Sequence, residues 1–184
     1  MKTLAYALCF AGVAALALAQ DNPKKAGSSQ PPAEFKVPER TPQQRYGRLL
    51  YLDVTGIAVG IAIAKAQGSS VDACAKFCGD TFAAGWSRQA GFAGFARGAL
   101  GNFDIFRSEQ DPPIEIIVQT DSTLQFKTNT GYRRAFRDGL RYGVSVAEYA
   151  RWLEIVYQRI ADHLGCSYTQ RVEGEFLLVT LAKK

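Results

Sequence analysis

The sequence predicts an α+β fold: a helical N-terminal half followed by a β-β-α-β-β antiparallel sheet with helices on one face. Three observations predict it. Apolar residues crowd positions 46–66 and 71–97 without strand-like alternation. Two short β-prone segments flank a turn at residues 120–123, and two more flank residues 173–175. Between these hairpins one segment, 145–164, carries both a capping box and the helical period. Two hairpins joined through a helix make an antiparallel sheet that buries one face under helices.

Ahead of the domain, residues 1–19 read as a cleavable signal peptide. Lys2 supplies the positive start, Leu4 to Leu18 the apolar run, and Ala17-Leu18-Ala19 the small-residue cleavage site before Gln20. The apolar run is shorter than the ~20 residues a membrane span needs. Cys9 lies inside the run and not at the cut, so no lipid anchor is expected. Residues 20–45 carry Pro23, Pro31, Pro32, Pro38 and Pro42 among polar residues, the composition of a disordered tether. Residues 46–184 are left for a single domain. The expected location is therefore exported, periplasmic or secreted.

Hydrophobic content of 47% and charged content of 21% are those of a chain that buries a core. Removing Lys2 with the leader lowers the formal charge from +5 to +4. So small a charge over this length concerns solubility more than partners. With export, it argues against nucleic acid.

The first helix, 46–66, is apolar nearly all round, which implies burial. Gly56 and Gly60 give it a GxxxG spacing, but the uninterrupted stretch Val54 to Ala64 is too short for a bilayer. No membrane span is expected after cleavage. The second helical region starts behind Ser69 and Asp72 and runs from Val71 toward Arg97. Phe77, Phe82, Trp86, Phe92 and Phe95 supply its bulk, and Gly79, Gly85, Gly91, Gly94 and Gly98 suggest bends or close packing. Asp111-Pro112-Pro113 stops it. Ile114 to Gln119 and Leu124 to Thr128 form the first hairpin. Ser145 and Glu148 cap the last helix, Gly165 ends it, and Tyr168 to Val172 and Phe176 to Leu181 form the second hairpin.

Candidate chemistry is sparse. Gly85-Trp86-Ser87-Arg88-Gln89 begins like a nucleophile elbow but lacks the final glycine and the strand-to-helix setting. A serine triad would have to recruit His163, the single histidine. No catalytic residue is assigned. Cys74, Cys78, His163 and Cys166 form a Cys₃His set that zinc accepts chemically, although the expected cofactor is none. In an oxidising compartment, three cysteines imply one bridge, with Cys166 joined to Cys74 or Cys78. Arg133, Arg134, Arg137 and Arg141, interleaved with Tyr132, Phe136 and Tyr142, offer either a clamp for an anionic group or a solvated basic face.

Ile114-Glu115-Ile116-Ile117, Leu124-Gln125-Phe126-Lys127, the helix Leu153 to Leu164 with Gly165, and Val172 to Val179 resemble a known pattern. It is that of the 4-vinyl reductase-type small-molecule-binding domains and the related thiazoline-carboxylate hydrolase-like proteins. The resemblance implies a ligand-holding scaffold. Thr130-Gly131-Tyr132 stands where those families often carry Cys-Pro, and Leu177 and Leu178 where they carry a cysteine, so hydrolysis is not implied.

The leading expectation is an exported, non-catalytic domain that binds a small, partly apolar ligand, with an anionic group as one option. Its pocket is expected between the glycine-rich helices and the sheet. Trp86 and Phe95 would form its apolar wall, and Tyr132, Arg133 and Tyr142 its mouth. The alternative is a structural or protein-interaction module of the cell envelope, whose ligand would be a protein partner. A hydrolase of the thiazoline-carboxylate type stands third.

Overall fold

A computed structural model describes residues 40–107, 111–136 and 139–184. The leader, most of the tether and Arg137 lie outside the described residues. Four helices and four strands follow in the order α1 (Pro42–Ala66), α2 (Val71–Ala83), α3 (Gly91–Asp104), β1 (Glu115–Gln119), β2 (Thr123–Asn129), α4 (Val146–His163), β3 (Cys166–Glu173) and β4 (Phe176–Lys183). The fold is α+β, as the sequence predicts.

The strands form one antiparallel sheet in the order β1-β2-β4-β3. Alternation decides its faces. Leu124, Phe126 and Thr128 of β2 are buried, as are Leu177, Val179 and Leu181 of β4, while Gln125 and Thr180 hydrogen-bond to each other on the opposite face. The edge strand β1 is exposed along its whole length, and its register slips between Ile116 and Val118. Such a slip twists an edge away from further pairing.

Helix α4 is the centre of the molecule. Its capping box forms: Ser145 Oγ accepts from the Glu148 N–H at 3.2 Å, and Glu148 Oε2 accepts from the Ser145 N–H at 2.8 Å. Buried residues on both of its sides, from Tyr149 to Ala161, place it between the sheet and α2. Asp72 pairs with Arg151 and Asp80 with Arg159, so α2 and α4 run in the same direction. Gly79 permits their close approach: a Cβ there would stand 2.7 Å from Arg159 Cβ and 3.1 Å from Val156 Cα.

The region read as one helix toward Arg97 is two helices, separated by a 3₁₀ turn at Arg88–Ala90, and the second continues to Asp104. Helix α1 also corrects the sequence reading twice. It begins at Pro42, inside the expected tether, because proline at the first helical position loses no hydrogen bond. And it is buried on one side only. Val54, Ala58, Ile61 and Ala64 pack inward, whereas Leu49 is 64% exposed, Leu52 46% and Ile63 41%. By length and composition α1 is the one described helix able to cross a bilayer, with a mean hydropathy of 1.7 over its best window.

Side-chain ties hold α1 along its length. Tyr46 Oη donates to the Ile105 carbonyl at 2.5 Å. Arg141 donates to Thr55 Oγ1 at 2.7 Å and lies 4.1 Å over the Tyr51 ring. Lys65 donates to Glu148 at 2.6 Å and to the Gly143 carbonyl at 2.9 Å.

Candidate functional site

A cleft of about 670 Å³ opens between the N-terminal half of α1, the end of α3 and a 3₁₀ segment, Gly131–Phe136. Tyr46, Leu50, Tyr51 and Val54 form its α1 wall. Asp104 and Arg107 stand at the α3 end, with Gly131, Tyr132, Arg134 and Ala135 opposite. The volume is that of a small-molecule site.

Local chemistry sets the 3₁₀ segment. A Cβ at Gly131 would collide with the Phe106 carbonyl oxygen, so only glycine lets the segment close on the end of α3. Asn129 Oδ1 accepts from the Gly131 N–H at 3.2 Å. Thr130 Oγ1 donates to the Glu175 carbonyl at 3.1 Å, and Arg133 donates to the Gly174 carbonyl at 3.2 Å. The segment is thereby pinned to the turn between β3 and β4.

Tyr132 is the unusual member. It is 2% exposed, and its ring lies 5.0 Å from Tyr149 and 5.9 Å from Phe106. Its hydroxyl has no hydrogen-bond partner, and neither do the hydroxyls of Tyr149 and Thr128. A buried hydroxyl left unpaired costs about 1–3 kcal/mol. Burial raises the Tyr132 pKa, opposed by the charge of Arg133, and raises that of Tyr149 further. Both phenols are therefore neutral donors at physiological pH.

The rim is charged but internally balanced. Arg107 donates to Asp104 at 2.7 Å and to the carbonyls of Asp111 and Pro112 at 3.1 and 3.0 Å. Arg134 is ion-paired to Asp111.

Of the five predicted ligand residues, Tyr132 alone lines this cleft. Phe95 is fully buried and meets Trp86 edge-on at 5.8 Å. The Trp86 ring lies against Gly98, where no Cβ would fit, so this aromatic pair is packed on α3 and stands outside the cleft. Arg133 is committed to the Gly174 carbonyl. Tyr142 is 56% exposed in a turn at φ 53° and stands outside the cleft. Among the described residues the basic cluster is not a common clamp either. Arg133, Arg134 and Arg141 each hold a different element. Sequence reasoning missed Tyr46, Leu50 and Arg107; the first two carry only the pattern of a core helix.

The expected cysteine bridge is absent: none of Cys74, Cys78 and Cys166 is in a disulfide. The parallel course of α2 and α4 explains this. Asp72 and Asp80 pair with residues 79 positions later, which puts Cys78 level with Tyr157. Cys166 starts β3 beyond the end of α4, which itself lies six residues past that level, about 9 Å along the helix direction, too far for a bridge. The same separation dismantles the zinc set. His163 Nε2 lies 3.2 Å from the Trp86 carbonyl oxygen at the far end of α4. Among the described residues no three of His, Cys, Asp or Glu gather as a metal site. Cys74 itself is chemically distinct. Hydrogen bonds from Cys78 and, less strongly, Trp152 bring its thiol down to about 7 against the effect of burial, whereas burial pushes the Cys166 thiol up.

Comparison of the chain with protein-family models, with curated proteins and with solved structures finds no match.

Proposed function

We propose that this is an exported, non-catalytic domain that binds a small, partly apolar ligand in the cleft beneath α1. One observation carries the reading: a cleft of about 670 Å³ with mainly apolar walls and, lining it, a buried tyrosine whose hydroxyl has no partner. A protein that keeps a buried donor unpaired loses stability unless something else bonds to it. A ligand acceptor group recovers that cost where a side-chain shift opens the Tyr132 hydroxyl, buried in the ligand-free protein, to the cleft. Arg107 and Arg134 at the rim accommodate an anionic group only by sharing guanidinium donors already bonded to Asp104 and Asp111. An anionic ligand is thus one option within the reading. The resemblance of the C-terminal part to 4-vinyl reductase-type ligand-binding domains agrees with a scaffold role, and the leader at residues 1–19 supports export.

The test is a thermal-shift and ligand-detected NMR screen of small aryl carboxylates and their neutral amides. Gly47 lines the cleft, and a Cβ there meets nothing within 4 Å. Gly47→Phe therefore starts from an open Cβ position, narrows the cleft and should abolish the shifts given by the parent, with circular dichroism checking that the variant folds. Hits that survive Gly47→Phe unchanged bind elsewhere and defeat the proposal.

A second reading has its own observation. The outward side of α1 presents Leu49, Leu52 and Ile63, with Gly56 and Gly60 open between them, and β1 leaves Ile116, Ile117 and Val118 exposed. These surfaces suit a protein-interaction module. Sedimentation of the parent and of Leu52→Glu separates the readings: an association lost in Leu52→Glu, with no ligand found, favours the interaction module.

A further inference from the structure

Cys74 and Cys78 stand one helical turn apart on α2, each half-buried, with the two cysteines 4.2 Å from each other. Their position is sheltered by Trp152, which is 5% exposed and whose indole N–H bonds to Cys74. The helix fixes this spacing, because residues four apart lie on one face. Two thiolates sharing an ion at a bond length of about 2.3 Å stand about 3.8 Å apart if the S–metal–S angle is tetrahedral and about 4.6 Å if it is linear. The observed 4.2 Å falls between these limits, so the pair reaches a shared ion with only a small side-chain adjustment. A disulfide would instead have to draw the sulfurs to about 2.05 Å across a helix turn.

The donor count selects the ion. Among the described residues no third His, Cys, Asp or Glu joins the pair. Zinc holds four nitrogen or sulfur donors in a structural site, and this position cannot supply them. Two soft thiolates alone suit a soft ion that is content with two ligands, and thiolate ligation is the feature that selects Cu(I) over harder ions. The indole and the body of α4 cover one side of the pair, which limits the access of water and of further ligands.

We infer that Cys74 and Cys78 form a two-coordinate site for a soft monovalent ion, Cu(I). Each thiol releases its proton to solvent as its sulfur–copper bond forms, so the bound unit carries a single negative charge and copper keeps its oxidation state. The site is separate from the cleft and does not depend on the ligand proposed there.

The test uses the full chain, reduced with a phosphine under argon and titrated with Cu(I) in competition with a chromophoric Cu(I) chelator. A single Cu(I) per chain is expected, and X-ray absorption should give a shell of two sulfurs. Cys74→Ser and Cys78→Ser should each lose more than about 100-fold in affinity, since disturbing even the outer shell of a metal costs up to that. Cys166→Ser should match the parent. Circular dichroism of each variant checks that α2 still folds, and the X-ray absorption measurement on the parent needs no variant at all. Copper affinity untouched by both α2 substitutions overturns the proposal. So does a shell of three or more donors, or equal displacement by equimolar Zn(II).

Discussion

Tyr132→Phe isolates the one group on which the ligand reading turns. The substitution keeps the ring, and with it the contacts to Phe106 and Tyr149. It deletes only a hydroxyl that is buried without a partner. Removing such a group recovers its desolvation penalty, about 1–3 kcal/mol. At about 3 °C per kcal/mol for a domain of this size, the ligand-free variant should melt about 3–9 °C above the parent. Calorimetric melts and urea titrations with an unchanged m-value measure it. The same variant should lose the ligand-linked rise in melting temperature that the parent shows. Stability gained while binding is lost is the pattern of a residue kept for function. A variant that melts several degrees below the ligand-free parent would refute the reasoning, since the hydroxyl must then be bonded within the protein.

Other outcomes follow from the same geometry. Gly79→Ala should destabilise the domain by about 1–3 kcal/mol, because its Cβ meets Arg159 and the Val156 backbone of α4. A variant as stable as the parent in urea would mean that the helices are not so closely packed. The hydrogen bond from Lys65, followed by that from the Ser145 N–H, holds the Glu148 carboxyl below its ordinary value. Its contribution is therefore complete above the ordinary glutamate range and lost as the pH falls through the lowered value. Glu148→Gln should flatten the acid side of the stability profile, and an unchanged acid slope would contradict the Lys65 tie. Intact mass of the exported chain should begin at Gln20; retention of residues 1–19 would contradict the leader reading.

The elements that the sequence made legible are those with local signals. Ser145, Glu148 and Gly165 punctuate α4 from both ends, and the hairpins carry their own turns. Helix α1 was legible as a helix, but its burial was not. Leu49, Leu52 and Ile63 are as apolar as Val54 and Ile61, so periodicity cannot tell the docked side from the open one. Its start at Pro42 was hidden because Pro42 closes a run of prolines, Pro23, Pro31, Pro32 and Pro38, that read as a tether. The cleft was illegible for a deeper reason. It joins residues near 46–54, 104–107 and 131–135, which no local pattern connects. Trp86 and Arg133 drew attention through residue type, yet one packs on Gly98 and the other holds a turn carbonyl. Residue type announces what a side chain is able to do, while its partners decide what remains for a ligand. The sulfur pair is the converse case: its helical spacing was plain in sequence, and only the course of α2 beside α4 separated it from Cys166.

Native mass spectrometry of the chain purified from its own host tests the central claim most directly. The account predicts a protein peak carrying one small-molecule mass, released by mild collisional activation and missing from Gly47→Phe purified in parallel. Bare protein from the parent, or the same added mass on Gly47→Phe, would contradict a ligand site beneath α1.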